Sequence, residues 1–378
     1  MSVVTESAVR SALAKVDDPE IRKPITELGM VKSIDIADDA SVHIVVWLTT
    51  AGCPMRSEIT GRVTKAVADV AGVGTVSVDL DVMNDEQRTA LRKSLRGDSA
   101  EPVIPFAQPG SLTRVYAVAS GKGGVGKSSV TVNLAAAMAA RGLSVGVLDA
   151  DIYGHSVPRM LGTDARPTQV EKMIMPPIAH NVKMISIAQF TTGNTPVVWR
   201  GPMLHRALQQ FLADVFWGDL DVLLLDLPPG TGDIAISIAQ LIPGAEILVV
   251  TTPQPAAAEV AERAGAIALQ TRQRIVGVVE NMSWMELPDG SRMDVFGSGG
   301  GQAVADRLTK AVGSNVPLLG QIPLEQAVRE AGDDGEPIVL RDPESPAAVA
   351  LAAVAEKLSV RRRGLAGMSL SIDTTKNF

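Results

Sequence analysis

The stretch VASGKGGVGKSSVTVN occupies residues 118–133 and contains the pattern Gly-x-x-x-x-Gly-Lys-Ser. This pattern is typical of a phosphate-binding loop, in which glycines let backbone N–H groups turn inward and the next helix adds positive charge at its N-terminus. An apolar run over 112–119 predicts a strand entering the loop, and helical spacing over 129–140 predicts a helix leaving it. The sequence therefore predicts a nucleotide site, with Lys127 on the β- and γ-phosphates and Ser128 on Mg²⁺.

The nucleotide is expected to lie along the whole loop. Lys122 follows the first glycine of the loop, where an ordinary phosphate loop needs no lysine. Taken alone, it is either a solvated surface lysine or a functional group. The predicted nucleotide-binding residues of the loop and its helix are Gly121, Lys122, Gly123, Gly124, Val125, Gly126, Lys127, Ser128 and Ser129.

Two further apolar runs end in acidic residues. The run over 143–148 leads into Asp149-Ala-Asp151, and the run over 221–227 contains Asp226 followed by Pro-Pro-Gly-Thr-Gly. Parallel α/β sheets place their ligands at the carboxyl ends of the strands. We therefore expect Asp226 to order Mg²⁺, Asp151 to orient the attacking water, and the glycine-rich segment to act as a switch loop.

Composition agrees with a large α/β protein. The 378 residues are 46% hydrophobic and 20% charged, with a net charge of −7. This charge argues against a broadly basic nucleic-acid surface. We find no signal pattern and no apolar run near the length of a membrane span. A single cysteine excludes an internal disulfide framework, so the expected location is the cytoplasm, with no nucleic acid or membrane partner.

The pattern of elements divides the chain into four parts. The first part has the order helix, strand, strand, helix, strand, helix, which predicts a small α+β domain. A stretch rich in Pro, Gly and Ala predicts a linker. Strands then alternate with helices, which predicts a doubly wound, mostly parallel sheet. The predicted parts are the small domain (1–96), the linker (97–110), the P-loop ATPase domain (111–360) and a loosely ordered tail (361–378).

The motifs resemble those of the Mrp/ApbC family, within the MinD/ParA group of ATPases with a deviant P-loop. The matching stretches beyond the loop are DADIYGHSVPRMLG, DLPPGTGD, TTPQPAA, VVENMSW, FGSGGG and LLGQIPLE. Asp18-Pro-Glu-Ile and the Thr-Thr-Ala-Gly-Cys53-Pro segment resemble an iron–sulfur-maturation domain that often precedes such ATPases. The resemblance implies an ATP-hydrolysing homodimer that carries [4Fe–4S] clusters to apo iron–sulfur proteins. It also implies that Lys122 reaches the partner's nucleotide.

The chain departs from this family at the position of its cluster ligands. Many members carry Cys-x-x-Cys, one motif per subunit, between the Asn-Met-Ser and Phe-Gly segments. Here Leu287 and Gly290 lie about where those cysteines would be. Neither supplies the thiolate that iron–sulfur clusters need. We therefore expect the bridging site to be missing.

Three other residues are candidates because of the resemblance. A lone cysteine is usually a small buried hydrophobe, but the maturation-domain motif makes Cys53 a possible iron–sulfur ligand shared between subunits. Asn281 and Pro323 correspond to residues that contact or pack on adenine in relatives, and both also fit ordinary turn chemistry. The four histidines show no metal-binding spacing.

Two other functions remain open from the sequence. One is a ParA/MinD-like positioning ATPase, although Gly364 and Gly367 interrupt any amphipathic helix in the arginine-containing tail. The other is a scaffold in which the nucleotide only sets the dimer state. The complete set of hydrolysis residues argues against a scaffold, whereas the missing cysteines favour it.

Overall fold

The described residues of the computed structural model form two main sheets, one of three strands and one of eight, and two small sheets of two strands each. The residues that the structure describes are 4–49, 55–96, 103–151, 154, 156–170, 173–190, 201–230, 233–254, 264–266 and 268–359. The predicted tail over 361–378 lies outside them, as do Cys53, His155 and part of the switch segment.

The helices of the first part occur in the predicted order, and the helix Lys127–Ala140 contains the predicted range 129–140. Their bounds are α1 (Glu6–Leu13), α2 (Arg56–Ala68), α3 (Asp85–Arg96), α4 (Lys127–Ala140), α5 (Val157–Met160), α6 (Gly201–Ala213), α7 (Asp233–Leu241), α8 (Gly300–Val312), α9 (Gln326–Asp334), α10 (Ile338–Arg341) and α11 (Pro346–Ser359). No helix among the described residues is long and apolar enough to cross a membrane.

The strands Arg114–Ala119, Val145–Asp149 and Val222–Asp226 are one or two residues shorter than the apolar runs that predict them. Their bounds are β1 (Val31–Ile36), β2 (Val42–Leu48), β3 (Val76–Val82), β4 (Arg114–Ala119), β5 (Val145–Asp149), β6 (Thr168–Val170), β7 (Met173–Met175), β8 (Ile178–Ala179), β9 (Val182–Ser186), β10 (Val222–Asp226), β11 (Glu246–Thr251), β12 (Ile275–Asn281), β13 (Met285–Glu286), β14 (Arg292–Met293) and β15 (Leu318–Ile322).

The first sheet belongs to the N-terminal part of the chain. Its strand order is β1-β2-β3, with β1 antiparallel and β3 parallel to β2. Strand β2 buries every second residue, as its alternating sequence predicts. Helix α2 buries Ile59, Val63 and Val67 at intervals of four residues, which places one apolar stripe against the sheet.

The second sheet has eight strands in the order β15-β12-β11-β4-β10-β5-β9-β8. All its pairings are parallel except that of the edge strand β8. Strand β10 is buried at every position, because helices cover both faces of the sheet. One apolar cluster contains α4 and α11, and another contains α6 and α7. This is the expected doubly wound sheet.

The two parts of the chain share apolar contacts that the sequence did not indicate. Met173 and Met175 are 1% and 2% exposed, and with Phe216 they belong to the same apolar cluster as the N-terminal sheet. Arg22 donates a hydrogen bond to the backbone oxygen of Asn181 at 3.3 Å. Within the predicted linker, Phe106 is buried and packs edge-on against Trp217, with ring centroids 6.4 Å apart.

Candidate nucleotide site

The phosphate loop joins the centre of the large sheet to a buried helix. Strand β4 lies between β11 and β10, and α4 begins at Lys127, two residues earlier than the periodicity predicts. Gly124 and Gly126 have φ values of +77° and +78°, which favour glycine strongly. Gly126 is the residue before α4, so this backbone conformation directs the chain into the helix.

Lys127, Ser128 and Asp226 meet at the start of α4. The Lys127 Nζ lies 2.8 Å from Asp226 Oδ1, and the Ser128 hydroxyl donates to Asp226 Oδ2 at 2.6 Å. Lys127 is 6% exposed and Asp226 is fully buried. Asp226 pairs in register with Val118 of β4, so the carboxylate lies beside the beginning of the loop. The three residues predicted for phosphate and Mg²⁺ binding are therefore adjacent.

The oxygens in this arrangement suit Mg²⁺. Mg²⁺ prefers hard oxygen ligands and usually keeps several waters and phosphate oxygens, so it needs few protein ligands. The Ser128 hydroxyl and the Asp226 carboxylate supply oxygens of this kind. Among the described residues, no group of three or more His, Cys, Asp or Glu side chains could hold a metal without other ligands.

A second acidic pair lies at the end of β5. Asp149 is the register partner of Asp226, accepts a hydrogen bond from Ser186 Oγ at 3.0 Å, and is fully buried. Burial, and then the charge of Asp226, raises the pKa of Asp149 to about 7. Asp151 is 7% exposed; its N–H donates to Asp149 Oδ1 at 3.1 Å, and its own Oδ1 accepts from the Gly154 N–H. Asp149 therefore anchors the backbone of Asp151.

Lys122 extends from the loop towards the end of β11. Its Nζ donates a hydrogen bond to the Gln254 side-chain oxygen. Gln254 follows the buried residues Thr251 and Thr252 in the Thr-Thr-Pro-Gln segment. This segment is one of the motifs that carry the family resemblance, and nothing in its spacing indicates that Gln254 contacts Lys122.

Asn281 and Pro323 lie on neighbouring strand ends. The Asn281 amide donates to the Val125 backbone oxygen at 2.9 Å, so it supports the phosphate loop directly. Asn281 pairs in register with Ile322, the residue before the buried Pro323. The Ser283 N–H then donates to the Ile322 oxygen at 2.9 Å. The two predicted base-binding positions are thus held side by side.

The segment that contains Leu287 and Gly290, where the resemblance places the family's cysteines, forms a small hairpin between β13 and β14. The Leu287 N–H donates to Ser291 O, and the Gly290 N–H donates to Leu287 O, each at 2.8 Å. The Asp289 carboxylate accepts from the Ser291 hydroxyl and N–H, which lowers the pKa of Asp289. Leu287 and Gly290 therefore belong to a hydrogen-bonded turn.

One buried carboxylate connects the strand before that hairpin to the helix after it. Glu280 is 1% exposed and directly precedes Asn281 on β12. Its Oε2 accepts from the Gly301 N–H in the first turn of α8, and its Oε1 accepts from the Gln321 amide at 2.7 Å. A β-carbon on Gly301 would lie 2.6 Å from the Glu280 Cβ, which explains the glycine. Negative charge near a helix N-terminus is also favourable.

Comparison with known protein families covers most of the chain. A model described as "NUBPL iron-transfer P-loop NTPase" matches residues 111–359, and one described as "Iron-sulfur cluster assembly protein" matches residues 6–78. The chain belongs to the NUBPL iron-transfer P-loop NTPase family. This confirms the expected group of nucleotide-binding P-loop proteins.

Individual relatives extend the match to nearly the full length. The iron-sulfur cluster carrier protein of Mycobacterium tuberculosis (H37Rv) is 75% identical over 370 residues, which are 98% of this chain and 97% of that protein. The protein of the same name from Deinococcus radiodurans is 43% identical, over 93% of this chain and 94% of its own. A nucleotide-binding protein from Archaeoglobus fulgidus, solved with ADP and with cobalt detected, is 33% identical with a TM-score of 0.52, over 62% of this chain and 89% of its own.

Proposed function

We propose that this member of the family is an ATP-hydrolysing iron–sulfur cluster carrier that delivers clusters to apo-proteins. The observation that carries the proposal is the buried Asp226, bound by Lys127 and Ser128, in a chain whose near full-length relatives are named iron-sulfur cluster carrier proteins. The P-loop supplies nucleotide binding, and the N-terminal match to an iron–sulfur assembly model supports the cargo.

The proposed reaction is hydrolysis of ATP to ADP and phosphate. A water oxygen bonds to the γ-phosphorus, the bond to the β–γ bridging oxygen breaks, and a proton is released. When bound, Mg²⁺ neutralises charge on the β- and γ-phosphates. Lys127 contacts the same phosphates, and Asp151 orients the water. Asp149 supports Asp151 by accepting its N–H.

The role that we assign to Lys122, the second lysine of the loop, requires a homodimer. A γ-phosphate that is shielded from water needs compensating cations, and we assign one of them to Lys122 of the opposite subunit. Within a single subunit, Lys122 donates a hydrogen bond to the Gln254 side chain. Asn281 and Pro323 are assigned to the adenine base, because their strand ends adjoin the loop.

The cluster is assigned to Cys53, shared between two subunits and completed by outside ligands. Cys53 lies outside the described residues, and it is the only cysteine of the chain. The proposal keeps the predicted parts (1–96, 97–110, 111–360 and 361–378) as working boundaries. A cytoplasmic location fits a protein that offers a single thiol for an oxygen-sensitive cluster.

The test separates nucleotide chemistry from cargo. Lys127→Ala should abolish nucleotide binding, whereas Asp151→Ala should bind ATP normally and lose turnover, both measured with a fluorescent ATP analogue and phosphate release. Iron and sulfide should be measured in anaerobically purified wild type and Cys53→Ala. Wild-type hydrolysis in the Lys127 variant would refute the site. Absence of a cluster from both proteins would instead favour the nucleotide-switched scaffold.

A further inference from the structure

Thr131 makes a contact that no motif indicates. It lies on α4, one turn after Lys127, and is completely buried. Its hydroxyl is 2.8 Å from Asp226 Oδ1 and 3.0 Å from the Lys127 backbone oxygen. Its neighbours Val130 and Val132 are apolar and buried.

The hydroxyl has one proton to give, and the carboxylate is the stronger acceptor. Hydrogen bonds to ionised groups are shorter and stronger than those between neutral groups. The Lys127 oxygen is also the acceptor that the Thr131 N–H uses in an α-helix. The shorter of the two hydroxyl distances is the one to Asp226. The Thr131 hydroxyl therefore acts as a donor to the buried acid.

Asp226 has three such donors, and Thr131 differs from the other two. Lys127 and Thr131 contact Oδ1, and Ser128 contacts Oδ2. In the proposed function Lys127 contacts the phosphates and Ser128 ligates Mg²⁺ through an oxygen lone pair, so both groups have a second partner when a nucleotide is bound. Thr131 is completely buried, and the proposed function assigns it no contact with the nucleotide or with Mg²⁺.

We propose that Thr131 is a positioning residue for Mg²⁺: it fixes the Asp226 carboxylate while Lys127 and Ser128 engage the nucleotide. A buried carboxylate needs donors to remain in one orientation. With Oδ1 held by Thr131, Oδ2 faces Ser128 and would be the oxygen that serves a bound Mg²⁺. This inference rests on the proposed function, since it assumes that Asp226 serves Mg²⁺.

A purely structural role makes a different prediction. If Thr131 only fills space, the nearly isosteric valine should replace it, and valine already occupies both adjacent positions. If the hydroxyl positions Asp226, Thr131→Val should weaken Mg²⁺ binding selectively, and Thr131→Ser should restore it. Thr309→Val is the matched control, because that hydroxyl on α8 accepts one backbone hydrogen bond from Val316.

The experiment measures ADP affinity with Mg²⁺ and with a chelator, using a fluorescent ADP analogue and the full-length chain. For Thr131→Val we expect the Mg²⁺ concentration that gives half of the maximal increase in ADP affinity to rise about tenfold. This is the typical effect of losing a hydrogen bond to a charged group. Affinity in the chelator should stay within about twofold. Thr131→Ser and Thr309→Val should both match wild type. Thermal unfolding without nucleotide shows which variants are folded, and Thr131→Ala replaces the valine variant if that one is not.

Three results would overturn the inference alone. The first is an unchanged Mg²⁺ dependence in Thr131→Val while wild type depends on Mg²⁺. The second is an equal loss of affinity with and without Mg²⁺. The third is a serine variant as impaired as the valine variant. A wild type whose nucleotide binding ignores Mg²⁺ would overturn the proposed function, and this inference with it.

Discussion

Alanine at Gly126 should cost more stability than alanine at Gly124, and the difference should come from Asn281. Both glycines have nearly the same positive φ, so each substitution costs about 1–2 kcal/mol in backbone strain. At Gly124 the added carbon meets nothing within 4 Å, whereas at Gly126 it would lie 2.3 Å from Asn281 Nδ2. Asn281 must then leave the Val125 oxygen, which costs about 1 kcal/mol more.

Thermal unfolding in the absence of nucleotide measures this difference. About 1 kcal/mol corresponds to roughly 2–4 °C in Tm for a domain of this size. We therefore expect Gly126→Ala to unfold about 2–4 °C below Gly124→Ala. In an Asn281→Ala background the two alanine variants should unfold together, because the obstructing amide is gone. Equal Tm values in the wild-type background, or a difference that survives in Asn281→Ala, would refute the reasoning.

The other predictions concern the dimer, the cargo and a buried lysine. Lys122→Ala should bind ATP but lose turnover and ATP-dependent dimer tightening by light scattering; equal activity of mixed and wild-type dimers would contradict a role in trans. A truncation starting at Ser111 should take up no cluster in reconstitution, while stoichiometric iron and sulfide in it would show that oxygen or nitrogen ligands suffice. Burial, with a smaller contribution from the charge of Arg22, lowers the pKa of Lys183 to about 8. As the pH rises, the folded protein therefore loses this proton before the unfolded chain does, and wild-type stability should increase between about pH 8 and 10.5. Lys183→Met should lack that rise, and parallel pH profiles of both proteins would exclude the buried charge as its cause.

The nucleotide site could be predicted from sequence where local rules apply. Glycines that need positive φ and a lysine–serine pair at a helix start are local features. The meeting of Lys127 with Asp226 follows from the rule that parallel strands align their carboxyl ends. The apolar periodicity predicts that α4 starts at residue 129, two residues too late. The reason is that Lys127 and Ser128, at the start of the helix, are polar and do not contribute to the periodicity.

Contacts across the fold could not be predicted in this way. Thr131 looks like one more β-branched residue in an apolar helix, and only the placement of β10 beside α4 shows what its hydroxyl contacts. In the sequence, Glu280 resembles an ordinary charged residue at the end of a strand, and only the fold shows that α8 packs beside it and donates a hydrogen bond to it. Phe106 lies in a stretch rich in Pro, Gly and Ala, whose composition predicts a linker although this side chain is buried.

The clamp formed by Glu280 has an evolutionary consequence. The Glu280 carboxylate, on the strand before the hairpin, accepts hydrogen bonds from the helix after the hairpin and from Gln321 of β15, so the two ends of the hairpin segment are joined independently of the residues at its tip. The phosphate loop is tied to the same strand through the hydrogen bond from Asn281 to the Val125 oxygen. We therefore expect evolution to exchange the tip residues Leu287 and Gly290 without altering the phosphate loop.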